Sequence, residues 1–396
     1  MATNDGGFIG QDGLNAPDSP TGVSATAGNT EATISFTAPS DVGGSAITGY
    51  RAQSNDGIGA SGSSSPVTVT GLTNGTSYTF NVWAINAFGY SAPSDASGAV
   101  APINDRGIFM GGGSNSNVMD YISISTSGNA VDFGDLIAGA SGVSNGAAAS
   151  LTRGVVAGGA TSGGNTNTIQ YVTIASTGNA SDFGDMTNVY QLMGGHSSST
   201  RAVYGGGLKN AGNNYNNSIE YITIASTGNS ADFGDLLADS QFASALGSST
   251  RAVFKSQNNS NVIEYVTIAS AGNSTDFGDS TQSIELQAAA SSATRGIFAG
   301  GYVTSGADYS NVIDYITIAS TGNATDFGDL TQDINGGSAV SSGTKWVRGG
   351  GSSSGSNVNV MDTVTIATTG NAIDFGDLTV ARNRLGCTCG SHGGLQ

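Results

Sequence analysis

Six times the chain repeats one pattern: an aromatic strand-like run, a tight Gly-Asn turn, then Asp-Phe-Gly-Asp. The copies read DYISISTSGNAVDFGDL from Asp120, QYVTIASTGNASDFGDM from Gln170 and EYITIASTGNSADFGDL from Glu220. EYVTIASAGNSTDFGDS from Glu264, DYITIASTGNATDFGDL from Asp314 and DTVTIATTGNAIDFGDL from Asp362 complete the set. Tyr121, Tyr171, Tyr221, Tyr265 and Tyr315 share one position, and Thr363 takes it in the last copy. The intervals are 50, 50, 44, 50 and 48 residues. A period of this length means stacked supersecondary units, none of which buries its apolar face alone.

The copies vary in one place. From each Tyr to the next basic residue the gaps are 32, 30, 30, 30 and 30 residues; from that basic residue to its Tyr they are 15, 18, 20, 14, 20 and 18. Length variation is therefore concentrated after the Gly-Gly doublets, such as Gly205-Gly206 and Gly300-Gly301. Antiparallel alternation puts these segments on one face, together with the copy-to-copy crossovers. Recognition commonly resides in loops held on a rigid scaffold. The candidate ligand-binding residues are Lys209, Asn214, Tyr215, Asn259, Tyr302 and Tyr309. Tyrosine offers a flat apolar face with a polar tip, and asparagine offers both donor and acceptor, a combination that suits glycans.

Charge narrows the partners. Twelve Lys and Arg against 29 Asp and Glu give a net charge of −17, which disfavours nucleic acid and anionic lipid, whose phosphates need clustered Lys and Arg. No apolar run approaches transmembrane length, so membrane insertion is not expected. The two cysteines, Cys387 and Cys389, exclude a disulfide scaffold. The N-terminal MATNDGGFIGQDG lacks the basic and apolar regions of a secretory leader.

Residues 1–15 read as an arm, with Phe8 and Ile9 as candidate docking residues. Residues 16–103 read as a β-sandwich: strand-like runs ATISFTAP from Ala32, ITGYRAQS from Ile47, VTVTGL from Val67 and YTFNVWAIN from Tyr78 alternate with turn residues. The segment from Gly71 to Ser94 resembles a fibronectin type III domain. The resemblance implies a tyrosine corner in which Tyr78 hydrogen-bonds back to the chain, and Phe36 stands where that family usually has Trp. It implies no enzymatic activity.

Residues 104–396 hold the repeats, each read as four strands. An apolar run, Gly-Gly, a variable loop, an aromatic strand, a tight turn and a second aromatic resemble the kelch repeat. Phe133, Phe183, Phe233, Phe277, Phe327 and Phe375 stand where kelch usually has Trp, and Lys255-Ser256 breaks the doublet in copy four. The first copy lacks a leading small-residue strand, and TVARNRLGCTCGSHGG after the last DFGDL lacks a following partner. The expected fold is all-β: a fibronectin type III β-sandwich followed by a six-bladed kelch-like β-propeller, closed by strand exchange between its N- and C-terminal ends.

Chemistry-bearing motifs are sparse. The paired aspartates, Asp132/Asp135 and their equivalents, fit side-chain capping of turns, with Ca²⁺ binding the weaker alternative. Arg153, Arg201, Arg251 and Arg295 are expected to pair with Asp residues of the repeat. Cys387 and Cys389, near His392, fit small buried positions better than a zinc site. No catalytic set, metal site or cofactor is expected. Because the Gly/Ser/Thr/Asn-rich repeat also looks like those of structural proteins of tailed bacteriophages, the expected function is that of a non-enzymatic virion component, a decoration, head-fibre or tail-fibre protein. Its expected partners are other virion proteins and host-surface glycans, with homo-oligomerisation compatible. The alternative is a secreted or cell-surface bacterial adhesin.

Overall fold

Short runs of alternating or wholly apolar residues punctuated by Gly and Asn produce strands throughout, and no α-helix occurs among the described residues. The computed structural model describes residues 15–143, 145–146, 148–209, 214–255, 260–303, 306 and 308–395. Its contacts divide the chain into two units, 1–104 and 105–396.

The first unit has a three-stranded sheet (Thr21–Ala27, Glu31–Thr37, Val67–Thr70) and a four-stranded sheet (Gly59–Gly62, Gly49–Ser54, Phe80–Asn86, Gly89–Tyr90). Strand Phe80–Asn86 alternates Phe80, Val82 and Ala84 inward, against Ile34, Val69 and Tyr50. Tyr78 is buried, and its hydroxyl accepts a hydrogen bond from the Thr73 amide at 3.0 Å. Phe36 fills its place in the core, with its ring 4.7 Å from that of Tyr50. Beyond Tyr90 no regular strand continues. Ser91, Ser94 and Ser97 instead turn their hydroxyls to the amides of Ala84, Val82 and Phe80.

In the second unit each copy forms an antiparallel series. Copy four runs Ser244–Gly247, Arg251–Lys255, Val262–Thr267, Thr275–Asp279, and copy six runs Ser338–Ser341, Lys345–Gly349, Val360–Thr365, Ile373–Asp377. Copy one takes its innermost strand from the far end of the chain. Gly386–Cys389 pairs with Arg106–Met110, Cys387 opposite Phe109 and Thr388 opposite Ile108. In copy two the innermost strand shrinks to a bridge, Ala149 opposite Gly154. These inner strands are buried throughout, and Gly, Ala, Ser, Cys and Thr dominate them, with His196, Leu246 and Val340 the larger side chains.

Small side chains carry the contact from one inner strand to the next. Ser197 accepts from the amide and donates to the carbonyl of Ala149, Ser291 does the same with Gly247, and Ser341 with Ser291. Cys389 Sγ donates to Ser341 O and Thr388 Oγ1 to Ala148 O, so the series returns from the last copy to the first and second. Between copies three and four the bridge is an imidazole: His196 Nε2 lies 3.2 Å from Ser248 O.

Candidate functional site

The repeated residues meet at the boundaries between copies. Each Gly-Asn turn docks on the Asp-Phe-Gly-Asp strand of the preceding copy. Gly178 donates to Phe133 O at 2.7 Å, Ala180 to Asp135 O at 2.8 Å, and Asn179 Oδ1 accepts from the Asp135 amide at 3.0 Å. The last copy meets the first in the same way: Gly128 donates to Phe375 O, Ala130 to Asp377 O, and Asn129 Oδ1 accepts from the Asp377 amide at 3.1 Å. The glycine between Phe and Asp is required by this contact. Gly134 has φ +141°, and a Cβ there would lie 2.5 Å from Gly178 O. Capping therefore falls to the asparagine side chain and the Asp backbone, whereas the sequence assigned it to the aspartate carboxylates. Asp132, Asp182, Asp232, Asp276, Asp326 and Asp374 are exposed.

The recurring arginines also differ from expectation. Their guanidinium groups lie over the Tyr of their own copy, 4.2–4.5 Å from the ring centroid, rather than against Asp. Each then donates to a backbone carbonyl of the next copy: Arg106 to Ile174, Arg153 to Ile224, Arg201 to Ile268, Arg251 to Ile318 and Arg295 to Ile366. Lys345 of copy six reaches Ser125 O of copy one at 2.9 Å. A delocalised cation on a ring face needs no carboxylate partner.

One recurrent group was not singled out in the sequence. The residue before each repeated Tyr, and before Thr363 in the last copy (Asp120, Gln170, Glu220, Glu264, Asp314, Asp362), is buried. Its side chain accepts from the residue two places past the preceding copy's DFGD. Gln170 accepts from the Ile137 amide at 2.8 Å, Glu220 from the Thr187 amide at 3.0 Å, Glu264 from the Leu237 amide at 2.7 Å and Asp314 from Thr281 Oγ1 at 2.7 Å. Asp362 accepts from Thr331 and Asp120 from Thr379. The signal was available as an acid or amide at one fixed position amid apolar neighbours. Two of these carboxylates form buried ion pairs, Asp362 with Arg348, and Asp120 with Arg382 at 2.5 Å. Burial raises Asp120, opposed by Arg382, and raises Asp314, opposed by its bonds from Thr281.

The candidate ligand-binding residues lie on hairpins that join neighbouring copies. Leu208–Lys209 pairs with Asn214–Tyr215 of its own copy and with Tyr190–Gln191 of the preceding one. Tyr215 and Asn214 are exposed and Lys209 is half-buried. Tyr302 stands opposite Tyr309 with ring centroids 6.3 Å apart, and Tyr302–Val303 also pairs with Ile284–Glu285. Tyr215 and the Tyr302/Tyr309 pair belong to separate hairpins. Phe8, Ile9 and Asn259 lie outside the described residues. At the broken doublet of copy four, Lys255 is buried and donates to Ile284 O at 2.8 Å. Burial lowers it to about 8.

On this face one residue leads into each inner strand: Gly142, Leu192, Phe242, Leu286, Gly336 and Arg384. Backbone hydrogen bonds link them in one run from Leu286 through Gly336, Arg384, Gly142 and Leu192 to Ala243, the neighbour of Phe242. Arg384 O accepts from Gly142, Gly142 O from Leu192, Leu192 O from Ala243, Leu286 O from Gly336, and Gly336 O from Arg384. Leu192, Leu286 and Arg384 hold left-handed conformations, with φ of 64°, 56° and 52°. The pit they surround has a volume of about 10 Å³, room for one water and not for a sugar. Asn145 crosses beneath it, donating to Gln287 O and accepting from Ser338 Oγ.

At the other end of the inner strands, His196 and His392 meet with ring centroids 5.2 Å apart, both buried. Burial lowers His196 to about 4, and burial with the neighbouring His196 lowers His392 well below its ordinary value. Cys387 and Cys389 are buried free thiols bonded to Ala339 O and Ser341 O, and burial pushes Cys389 up to about 12. Among the described residues no group of three or more His, Cys, Asp or Glu is placed to hold a metal ion.

Comparison with known proteins identifies the first unit. Residues 18–99 match the fibronectin type III domain and form one. No curated protein matches the chain. A solved structure of YjhT covers 64% of this chain and 89% of its own, with a TM-score of 0.53 and 12% identity, a likeness of fold alone. A crystal structure of domains from titin covers 22% of this chain and 32% of its own at 31% identity and a TM-score of 0.21.

Proposed function

We propose that the chain is a non-enzymatic structural and display protein of a tailed-bacteriophage virion. Its second unit is read as a six-bladed kelch-like propeller closed by its own C-terminal strand. The observation that carries this reading is where the repeated polar groups go. The turn asparagines, the cations over the tyrosines and the buried acids all serve contacts between copies, and each series runs on from copy six to copy one. A frame of this kind resists deformation and holds hairpins in fixed positions, and fold alone assigns no reaction to it. The N-terminal region then attaches to the particle, and the hairpins bearing Tyr215, Tyr302 and Tyr309 face the host surface or its glycans.

The test is to purify particles from an infected culture, measure the protein by mass spectrometry and label it with gold-conjugated antibody. A fixed copy number per particle, with gold on the particle surface, is expected. Protein found only on bacterial cells or free in the supernatant refutes the virion reading and favours an adhesin. Release of reducing ends from host polysaccharide by the purified protein refutes the non-enzymatic reading.

A further inference from the structure

The fibronectin type III unit presents an apolar outer face at the place where its N-terminal segment joins it. Strand Phe80–Asn86 turns Phe80, Val82, Ala84 and Asn86 into the core, so Trp83 and Ile85 face the other way and are half-buried. Tyr90 stands opposite Ile85 in the adjoining strand and is 57% exposed. Residues directly opposite in an antiparallel pair share a face, so Trp83, Ile85 and Tyr90 lie on one surface. On its other side Ile85 is opposite Gly49, which leaves that flank without a side chain. Two more apolar residues, Phe88 at 48% exposure and Val42 at 37%, adjoin the end of this sheet.

Asn86 fixes where the chain enters. Its amide nitrogen donates to Asn15 O at 3.0 Å and to Val42 O at 2.8 Å, and its Oδ1 accepts from the amides of Phe88 at 2.8 Å and Gly89 at 3.2 Å. One buried side chain therefore holds Asn15 beside Val42 and the Phe88 turn. The segment before Asn15 carries Phe8 and Ile9, between Gly6-Gly7 and Gly10. The chain from Asn15 to Phe8 spans up to about 23 Å when extended. Trp83 lies two strand residues from Ile85, about 7 Å, so the whole face is within reach. Charge matches as well. Arg51, opposite Trp83, is the one Lys or Arg in residues 1–104 and has no carboxylate partner among the described residues, while the segment carries Asp5 and Asp12.

We propose that residues 1–14 fold back onto this face, placing Phe8 and Ile9 against Trp83, Ile85 and Tyr90 and an acidic residue of the segment beside Arg51. Docking removes apolar groups of both the segment and the sheet from water together. A short tether gives an effective concentration on the order of millimolar, so two apolar side chains and one charge pair suffice. The docked segment is withheld from any other surface until it is displaced. The inference concerns the free chain and does not rest on the virion reading.

Trp83 reports the contact, because the chain's other tryptophan, Trp346, is fully buried. Acrylamide quenching of tryptophan fluorescence is measured on the full chain and on its Phe8→Ser, Ile9→Ser double variant. Quenching reads the uncovered fraction, so the variant's constant is expected to rise by about 1.5-fold or more. Asp5→Asn with Asp12→Asn is the second variant and is expected to raise it by a smaller factor. Both leave the residues of the sheets untouched, and unchanged circular dichroism checks that the fold is retained. Equal quenching of the wild type and the Phe8/Ile9 variant overturns the proposal. So does a wild-type constant that rises on dilution, which would make a second copy of the chain the occupant.

Discussion

The buried His196 gives the second unit a measurable sensitivity to acid. Its imidazole bridges two inner strands, faces His392 and Ser248 O, and is pulled by burial from 6.5 to about 4. As pH falls from 7.5, the unfolded chain protonates this histidine near 6.5 while the folded chain does not until about 4. The unfolded state then binds more protons, so stability falls with falling pH through that window and levels off below it. The gap is worth about 3 kcal/mol in full, of which about 1.3 kcal/mol is lost between pH 7.5 and 5.5. Leu246 holds the equivalent position in the next copy, so His196→Leu is the matched variant. Urea unfolding of both proteins across this range reads the effect, since the raised Asp120 and Asp314 act equally in each and burial, the larger cause of the lowered His392, persists in the variant. The variant's stability should decline less steeply by about 1.3 kcal/mol, a few degrees in Tm for a unit of this size. Parallel pH dependences in the two proteins would refute the assignment of a buried neutral imidazole.

Three further outcomes follow from the boundaries between copies. Gly234→Ala places a Cβ 2.4 Å from Gly272 O at φ +149° and should cost about 1–3 kcal/mol, whereas Gly272→Ala, with open space around it, should stay within about 0.5 kcal/mol by thermal unfolding. Glu220→Leu leaves Thr187, Tyr190 and Ser230 without their acceptor. It should lose at least about 2 kcal/mol in urea, with Glu220→Gln, the residue type at position 170, losing less. Removing residues 386–396 leaves Arg106–Met110 without its inner partner. Calorimetry should then show the repeat unit's transition lowered or lost and that of the fibronectin type III domain unchanged.

Strands, copy boundaries and the fibronectin type III segment were legible because they rest on local signals: alternation, Gly-Asn turns, the Leu72–Tyr78 spacing. The partners of the recurrent charges were not. An arginine five residues before a Gly-Gly says that a cation is needed, but only the folded chain shows that its acceptors are a ring face of its own copy and a carbonyl of the next. The buried acids escaped notice for a related reason. Their partners are backbone amides such as that of Leu237, and an amide leaves no mark in a sequence. The hairpins after Gly-Gly read as loops because their pairing, Lys209 with Tyr190 for example, joins separate copies through two-residue strands too short to carry a pattern.

The positions that repeat and the positions that vary then have one physical explanation. A residue that bonds across a boundary must match its counterpart in the next copy, so a change at one copy requires compensation in another. Copy six shows what happens where the match is relaxed. Lys345 replaces Arg, Thr363 replaces Tyr, Arg348 enters at the position held by Phe109 and Tyr204, and Asp362 turns to pair with it. Copy one makes a similar exchange, with Arg382 of the C-terminal segment reaching Asp120. The two buried ion pairs thus lie in the two copies where the ends of the repeat array meet. Desolvating each charge is costly, and the ion pair offsets that cost only while both partners stay in place. An Arg348→Met substitution alone should accordingly destabilise the unit by about 3–5 kcal/mol, and Arg348→Met with Asp362→Asn should recover a large part of that loss. Equal instability of the single and double variants would show that the pair does not act as a unit.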